Sequence, residues 1–139
     1  MNNLLTKLSF IIIGLFALFS ISCNDIRKHE PPPDVIYEAD PNASPNTGRF
    51  VMYVFNNDDK YSPLDGVNLS VFNTFQDLEN NIFLQSQTTR NRGRADFNYL
   101  NAGNYYVKIY YQSGDRKYEN IITVQVQAQK TLTRNLVMR

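Results

Sequence analysis

From Arg49 onward, short runs of alternating apolar and polar residues are separated by turn residues at intervals of about eight to twelve positions. Successive side chains of a strand point to opposite faces, so each run places one apolar row on one side. The apolar rows of the two clearest runs are Val67, Leu69 and Val71, then Tyr105, Val107 and Ile109. Since no segment carries a sustained helical stripe, the pattern predicts an all-β fold with little helix.

Seven runs are predicted as strands: "RFVMYVFN", "VNLSVFNT", "IFLQSQTT", "RADFNYL", "NYYVKIYY", "KYENIITVQVQ" and "KTLTRNLVM". Their number and spacing predict a single all-β domain over residues 49–139, either a β-sandwich or a barrel. The segment "QDLENN" is expected to be a loop or one short helical turn. In the last run, Arg134 shares a face with Leu132 and Leu136, which indicates a bulge or an edge position.

The first 22 residues have the layout of a secretory signal, with Lys7 before an apolar run that ends at Ile21. As a helix, residues 8–21 would span only about 21 Å at ~1.5 Å per residue. A bilayer core needs about 30 Å, so a cleaved signal is favoured over a transmembrane anchor. Whether the cleaved signal is an ordinary signal peptide or a lipoprotein signal stays open at this point, and an uncleaved anchor is the third alternative.

Residues 23–48 are predicted to form a tether. Five of the chain's six prolines lie in this segment, which shows little apolar periodicity. The alternative for "VIY" at 35–37 is an additional edge strand. His29, the only histidine, is expected to be solvated.

The only cysteine lies where cleavage is expected, and "FSISC" resembles a bacterial lipobox. This resemblance implies that Cys23 carries a diacylglycerol and an acylated amine, which together would anchor the chain stably. Ser22 fits the small residue expected there, whereas Ser20 departs from the usual Leu. Asn24 after the cysteine implies the outer membrane, and whether the domain occupies the periplasmic or the surface side stays open.

A second resemblance lies in the folded part. The spaced residues Gly93, Ala95, Phe97, Leu100, Gly103 and Tyr105 resemble a signature of prealbumin-like (transthyretin-like) sandwiches, which include carboxypeptidase regulatory-like domains. "SPLDGVNLSVFN" resembles their second signature, and the likeness covers residues 50–138. The resemblance implies a single seven-stranded Greek-key β-sandwich of immunoglobulin-like architecture. Both glycines are expected at tight reversals that a Cβ would forbid. The whole chain resembles small lipoproteins of Bacteroidetes-type bacteria, and such modules occur in proteins of many functions.

Composition excludes several functions. Without Lys7 the chain has thirteen basic and thirteen acidic residues, which argues against nucleic-acid binding. Residues 49–139 hold no His or Cys, so Ser-His-Asp or Cys-His catalysis and zinc sites are not expected. We therefore expect a non-enzymatic protein without cofactor or metal. Two alternatives stay open: a hydrolase using Asp77 and Glu79, and a calcium loop. The candidate calcium ligands are Asn57, Asp58, Asp59 and Asp65.

Two groups of side chains are candidate contact sites. Tyr106 and Tyr110 are predicted to face outward, with Tyr53 and Phe72 from neighbouring strands, as a platform for a protein strand or a sugar ring. The alternative is that tyrosine simply fits pleated surfaces.

The second group is Arg90, Arg92 and Arg94 at one hairpin, which could contact a phosphate, an acidic glycan or lipid headgroups; solvated turn residues are the alternative.

The sequence thus predicts an outer-membrane, lipid-anchored interaction or structural module with an envelope protein partner. The alternative is a carbohydrate-binding lipoprotein that uses the tyrosines for glycan uptake.

Overall fold

The computed structural model describes residues 33–58 and 60–139 of the chain. Most of these residues lie in strands, and one five-residue helix is present among them. The elements in chain order are β1 (Val35–Ala39), β2 (Thr47–Asn56), β3 (Asn68–Phe72), α1 (Phe75–Glu79), β4 (Gln85–Thr88), β5 (Arg94–Asn101), β6 (Gly103–Ser113), β7 (Arg116–Val126) and β8 (Lys130–Met138).

Two four-stranded sheets make up the fold. Sheet A has the order β1-β8-β2-β5, and sheet B has the order β4-β3-β6-β7. β2 and β8 run parallel, while the other neighbouring strands are antiparallel. The predicted all-β sandwich is confirmed, but the described residues form eight strands instead of seven.

The additional strand, β1, lies in the segment predicted as tether. It pairs with β8 from Val35 opposite Arg134 to Ala39 opposite Lys130. Without β1, one side of β8 would present unpaired backbone groups, and β-branched Val and Ile suit an extended strand. The segment predicted as tether is therefore paired from Val35 onward, and β2 begins at Thr47, just before the predicted domain start.

The core lies between the sheets and follows the predicted alternation. The rings of Phe50 and Phe97 stack with their centroids 5.2 Å apart. The Tyr105 hydroxyl donates to the Asn101 carbonyl at 2.7 Å, and burial raises the pKa of this phenol. The other buried members of the core are Met52, Val54, Val67, Leu69, Val71, Ala95, Leu100, Val107, Ile109, Val124, Val126 and Leu132.

The tight turn between β4 of sheet B and β5 of sheet A explains one of the two predicted glycine positions. Gly93 has a φ of +73°, and a Cβ there would meet the Val54 carbonyl oxygen at 2.3 Å. Its amide donates to the Asp65 carboxylate at 2.6 Å, which ties the two sequence signatures together. Gly103 differs, because it starts β6 without a positive φ and has room for a side chain. Gly103 therefore lies at a reversal as expected, since one residue separates β5 of sheet A from β6 of sheet B, but this reversal does not depend on the missing Cβ.

Arg134 needs neither of the two explanations predicted for it. β8 lies between β1 and β2, and its register with both strands is unbroken. The Arg134 side chain extends from the inner side of sheet A to sheet B, where its guanidinium donates to the Thr123 carbonyl of β7 at 2.7 Å. The Tyr37 hydroxyl donates likewise to the Gln125 carbonyl at 2.8 Å. These side chains cap the outer edge of β7 where it would otherwise be open.

The segment between β3 and β4 agrees with its prediction at α1, which is the short helical turn expected for "QDLENN", and departs from it at residues 82–84. α1 begins with a capping box, in which Thr74 and Asp77 each accept the other's backbone N–H. The following "IFL" at 82–84 was predicted to start a strand, but β4 begins only at Gln85. Ile82, Phe83 and Leu84 are instead exposed.

Candidate functional site

The outward side of sheet B carries the two predicted tyrosines. We call this surface the tyrosine face and define it by Tyr106, Lys108 and Tyr110 on β6 with Lys117, Glu119 and Ile121 on β7. Because Tyr105, Val107 and Ile109 point into the core, the intervening residues of β6 point outward. The register places Lys108 opposite Ile121 and Tyr110 opposite Glu119.

Near Tyr110, the Glu119 carboxylate lies between two lysines and pairs with both. Glu119 accepts from Lys108 at 3.2 Å and from Lys117 at 3.1 Å. Hydrogen bonds from Lys117 and then Lys108 hold the pKa of Glu119 below its usual value. The bond to Glu119 raises the pKa of Lys117. Lys117 also lies over the Tyr110 ring, 5.4 Å from its centroid.

The two tyrosines have different surroundings. The Tyr110 hydroxyl donates to the Gln112 amide oxygen at 2.7 Å. The Tyr106 ring meets the Phe75 ring edge-on, with 5.9 Å between centroids. Both tyrosines are half-buried, so each ring keeps part of its surface in solvent. They stand four residues apart on one strand, or about 13 Å.

Uncharged polar pairs extend the tyrosine face across β3 and β4. Thr88 donates to the Asn68 side chain at 2.7 Å. The hydroxyls of Ser70 and Ser86 lie 3.0 Å apart. The surface beside Tyr110 is therefore lined with hydroxyl and amide groups.

Two other residues predicted for the platform lie elsewhere. Phe72 points outward from sheet B but is fully buried, because α1 and its buried Leu78 pack against β3 and β6 at this point. Tyr53 is half-buried on the outer side of sheet A, opposite Asn135 of β8 and Arg94 of β5. The structure thus brings together Tyr106 and Tyr110 only.

The three arginines predicted as an anion contact lie on one tight turn, in which Arg90 and Arg94 exchange two backbone hydrogen bonds of 2.9 Å. Arg94 donates to Asp96 at 2.7 Å on the outer side of sheet A, and Arg49 pairs with the same carboxylate. The hydrogen bond to Asp96 raises the pKa of Arg49. Arg92 lies in the turn with φ +73°, and Arg90 is exposed beside the end of β4. Because the Arg94 side chain is already paired with Asp96, only Arg90 and Arg92 stay as candidates for the predicted anion contact.

Three of the carboxylates weighed for calcium binding or hydrolysis, Asp58, Asp65 and Asp77, have structural partners. Asp58 accepts the backbone N–H of Ser62 at 2.8 Å and of Lys60 at 3.2 Å, and the bonds from Ser62 lower its pKa. Asp77 belongs to the helix cap described above. No group of three or more metal-ligating side chains occurs among the described residues. Asp59, Cys23 and His29 lie outside them.

Two larger cavities open at the sandwich margins. One, of about 480 Å³, lies between β1 and β7 and is lined by Tyr37, Tyr106 and Arg134 among others. The second, of about 520 Å³, lies at the β6–β7 hairpin, with Tyr111 and Tyr118 in its wall and cationic side chains around it. Both have a size typical of ligand pockets.

Sequence reasoning missed Lys117, Glu119 and Ile121 as parts of the tyrosine face. The available signal was the short turn "QSGDR" between two long alternating runs, which fixes the register of β6 and β7. Counting outward from that turn pairs Glu119 with Tyr110. In the part of the chain that the structure describes, no helix has the length and apolar character needed to cross a bilayer.

Neither a protein-family model nor a curated protein matches the chain. Among solved structures, it is similar to a Pseudomonas aeruginosa protein provisionally described as a carbohydrate binding protein. The TM-score is 0.43 with 12% sequence identity, over 70% of this chain and 92% of that chain. A likeness at this level carries no argument about a ligand.

Proposed function

We propose that this protein is a non-catalytic interaction module of the bacterial outer membrane, anchored by lipid on Cys23, with the tyrosine face as its contact surface. The observation that carries the contact surface is the position of Tyr110 and Ile121. These large side chains lie beside paired charges on a regular, solvent-facing sheet. Aromatic anchors with a polar rim are typical of protein interfaces, so the partner is an envelope protein.

The anchor and the contact surface are tested separately. Metabolic labelling with a palmitate analogue should label the wild type and leave Cys23→Ala unlabelled. Equal label on both proteins, or none on the wild type, would refute the anchor. This experiment gives no information about the tyrosine face, so either part of the proposal can fail alone.

The contact surface is tested by capture of partners from solubilised membranes with a tagged chain. Replacing Tyr106 and Tyr110 together by Ser should reduce the captured partner at least about tenfold, because two aromatic anchors are lost. Tyr53→Ser is the matched control, since Tyr53 is also half-buried and outward but lies on sheet A. Equal capture by all three proteins would contradict the proposal.

A second candidate function is glycan binding. The hydroxyl and amide pairs Asn68–Thr88 and Ser70–Ser86 favour it, because they lie beside Tyr110 and can hydrogen-bond sugar hydroxyls. A glycan in an affinity gel should then retard the wild type and the Tyr53→Ser control, but not the double tyrosine variant. Identical migration with and without every glycan tested would exclude this candidate.

A further inference from the structure

Four large apolar side chains within ten positions of the chain are exposed at one end of sheet B. We call this group the apolar tip: Phe75 of α1 with Ile82, Phe83 and Leu84. Their exposed fractions are 55%, 62%, 50% and 54%. Single exposed apolar residues are ordinary, but contiguous ones mark contact with another apolar phase.

The local backbone holds the apolar tip in place. The Ile82 amide donates to the Asp77 carbonyl at 2.8 Å, which folds the segment back onto α1. The Leu84 amide donates to the Val71 carbonyl at 2.8 Å, which fixes it to sheet B. The side chains are therefore displayed by a hydrogen-bonded turn.

The rim of the apolar tip is almost uncharged. Between residues 73 and 88 the only charged side chains are Asp77 and Glu79, and the polar ones are Asn, Gln, Ser and Thr. Loops and turns at the opposite end of the sandwich carry Asp58, Lys60, Asp65, Arg90, Arg92 and Asp115, whereas the tip end adds only the buried Asp40 and Lys130 at the start of β8. Because desolvating amides and hydroxyls costs less than desolvating charges, the tip end is the one suited to a lipid interface.

We propose that the apolar tip inserts into the interface of the bilayer that holds the Cys23 lipid. This inference rests on the anchor in the proposed function. The Pro33 carbonyl accepts the Asn135 side chain, which fixes the start of the domain on β8. That point is about 17 Å along β8 from the tip end. Ten residues from Cys23 to Pro33 reach about 33–36 Å when extended, so the tether permits the contact.

The tether also favours lipid over a protein as the occupant of the tip. It keeps the domain beside the membrane at a high effective concentration, so even a small apolar surface is driven to insert. The tip should favour zwitterionic lipid, because the two acidic residues of α1 would be repelled by anionic headgroups.

The test uses an artificial anchor, so that it does not depend on lipidation of Cys23. Residues 24–139 contain all eight described strands; they would carry an N-terminal polyhistidine tag and bind phosphatidylcholine vesicles that contain a nickel-chelating lipid. The chain has no Trp, so Phe83→Trp provides a single reporter. Ile121→Trp is the control, since Ile121 is 48% exposed and lies about 17 Å from the tip end.

In vesicles with brominated acyl chains, the emission of Phe83→Trp should shift to the blue and be quenched, while that of Ile121→Trp should stay unchanged. Equal quenching at both positions, or none at Phe83→Trp, would overturn the inference. A shift only after addition of membrane protein would assign the tip to a protein and also overturn it. Quenching without palmitate label would refute the Cys23 anchor alone.

Discussion

The outer faces of the two sheets are built on the same arrangement of charges. On sheet A, Asp96 is shared by Arg49 of β2 and its own neighbour Arg94. On sheet B, Glu119 is shared by Lys108 of β6 and Lys117. Each face thus centres on one carboxylate between two cations, with one of the cations on the adjacent strand.

The difference lies in the cations and in what they cover. The Arg49 guanidinium binds Asp96 through two nitrogens, a planar geometry that holds both side chains rigidly. Val51, which lies opposite Asp96 and points outward, is only 4% exposed. Lysine is a flexible point charge, and on sheet B it leaves Ile121 48% exposed. The same charge pattern therefore lies beside a buried aliphatic side chain, Val51, on sheet A and beside an exposed one, Ile121, on sheet B.

The largest predicted effect concerns the part of sheet B that is closed by α1. Phe72→Ala should lower the free energy of unfolding by about 3–5 kcal/mol, because it removes a fully buried ring. Denaturant unfolding measures this loss. Ile121→Ala is the control on the open part of the same sheet and should cost much less. Similar losses for the two variants would contradict the division of sheet B into a closed and an open part.

The next effect compares the two carboxylates directly. Asp96→Asn should lower the free energy of unfolding by about 1–2 kcal/mol. The loss is smaller than for a fully buried ion pair, because Asp96 is partly exposed to solvent. Glu119→Gln should leave the thermal midpoint almost unchanged, since its lysines remain solvated. Calorimetry of both variants checks the order. A larger loss for Glu119→Gln would reverse the comparison.

The smallest effect is the pH dependence of the open face. Because the lysines lower the folded-state pKa of Glu119, its pairing stabilises the protein above the unfolded pKa and is lost as the pH falls through the folded one. NMR titration of the Glu119 carboxyl carbon should therefore give a pKa below the ordinary value. Lys117→Met should move it upward, whereas Lys60→Met, at a distant loop, should not. An unchanged titration in Lys117→Met would show that Lys117 does not pair with Glu119 in solution.

Alternation predicted the fold well where one strand face is buried. Val67, Leu69 and Val71 point inward as expected, since the period of a strand fixes their side. β1 was only an alternative in the sequence, because its pairing depends on β8 at the far end of the chain. The apolar "IFL" read as a strand, but the helix cap at Thr74 and the return of the chain onto α1 place it outside the sheet.

The candidate site was half predictable for the same reason. The alternation of side chains along β6 correctly predicted that Tyr106 and Tyr110 point outward. Alternation also placed Phe72 outward, but it carries no information about α1, which buries that side chain. Tyr53 was assigned to the wrong surface. Alternation along β2 predicts that its side chain points outward, but it does not predict to which sheet β2 belongs.

The most direct test of the account is site-specific photocrosslinking in native membranes. A photoreactive amino acid replaces Lys108 on the tyrosine face or Thr133 on the outer side of sheet A; both positions are half-buried and lie within long strands. The account predicts a discrete crosslinked partner at position 108 and none at position 133. A partner at position 133 alone, or the same product at both positions, would contradict the assignment of sheet B as the contact surface.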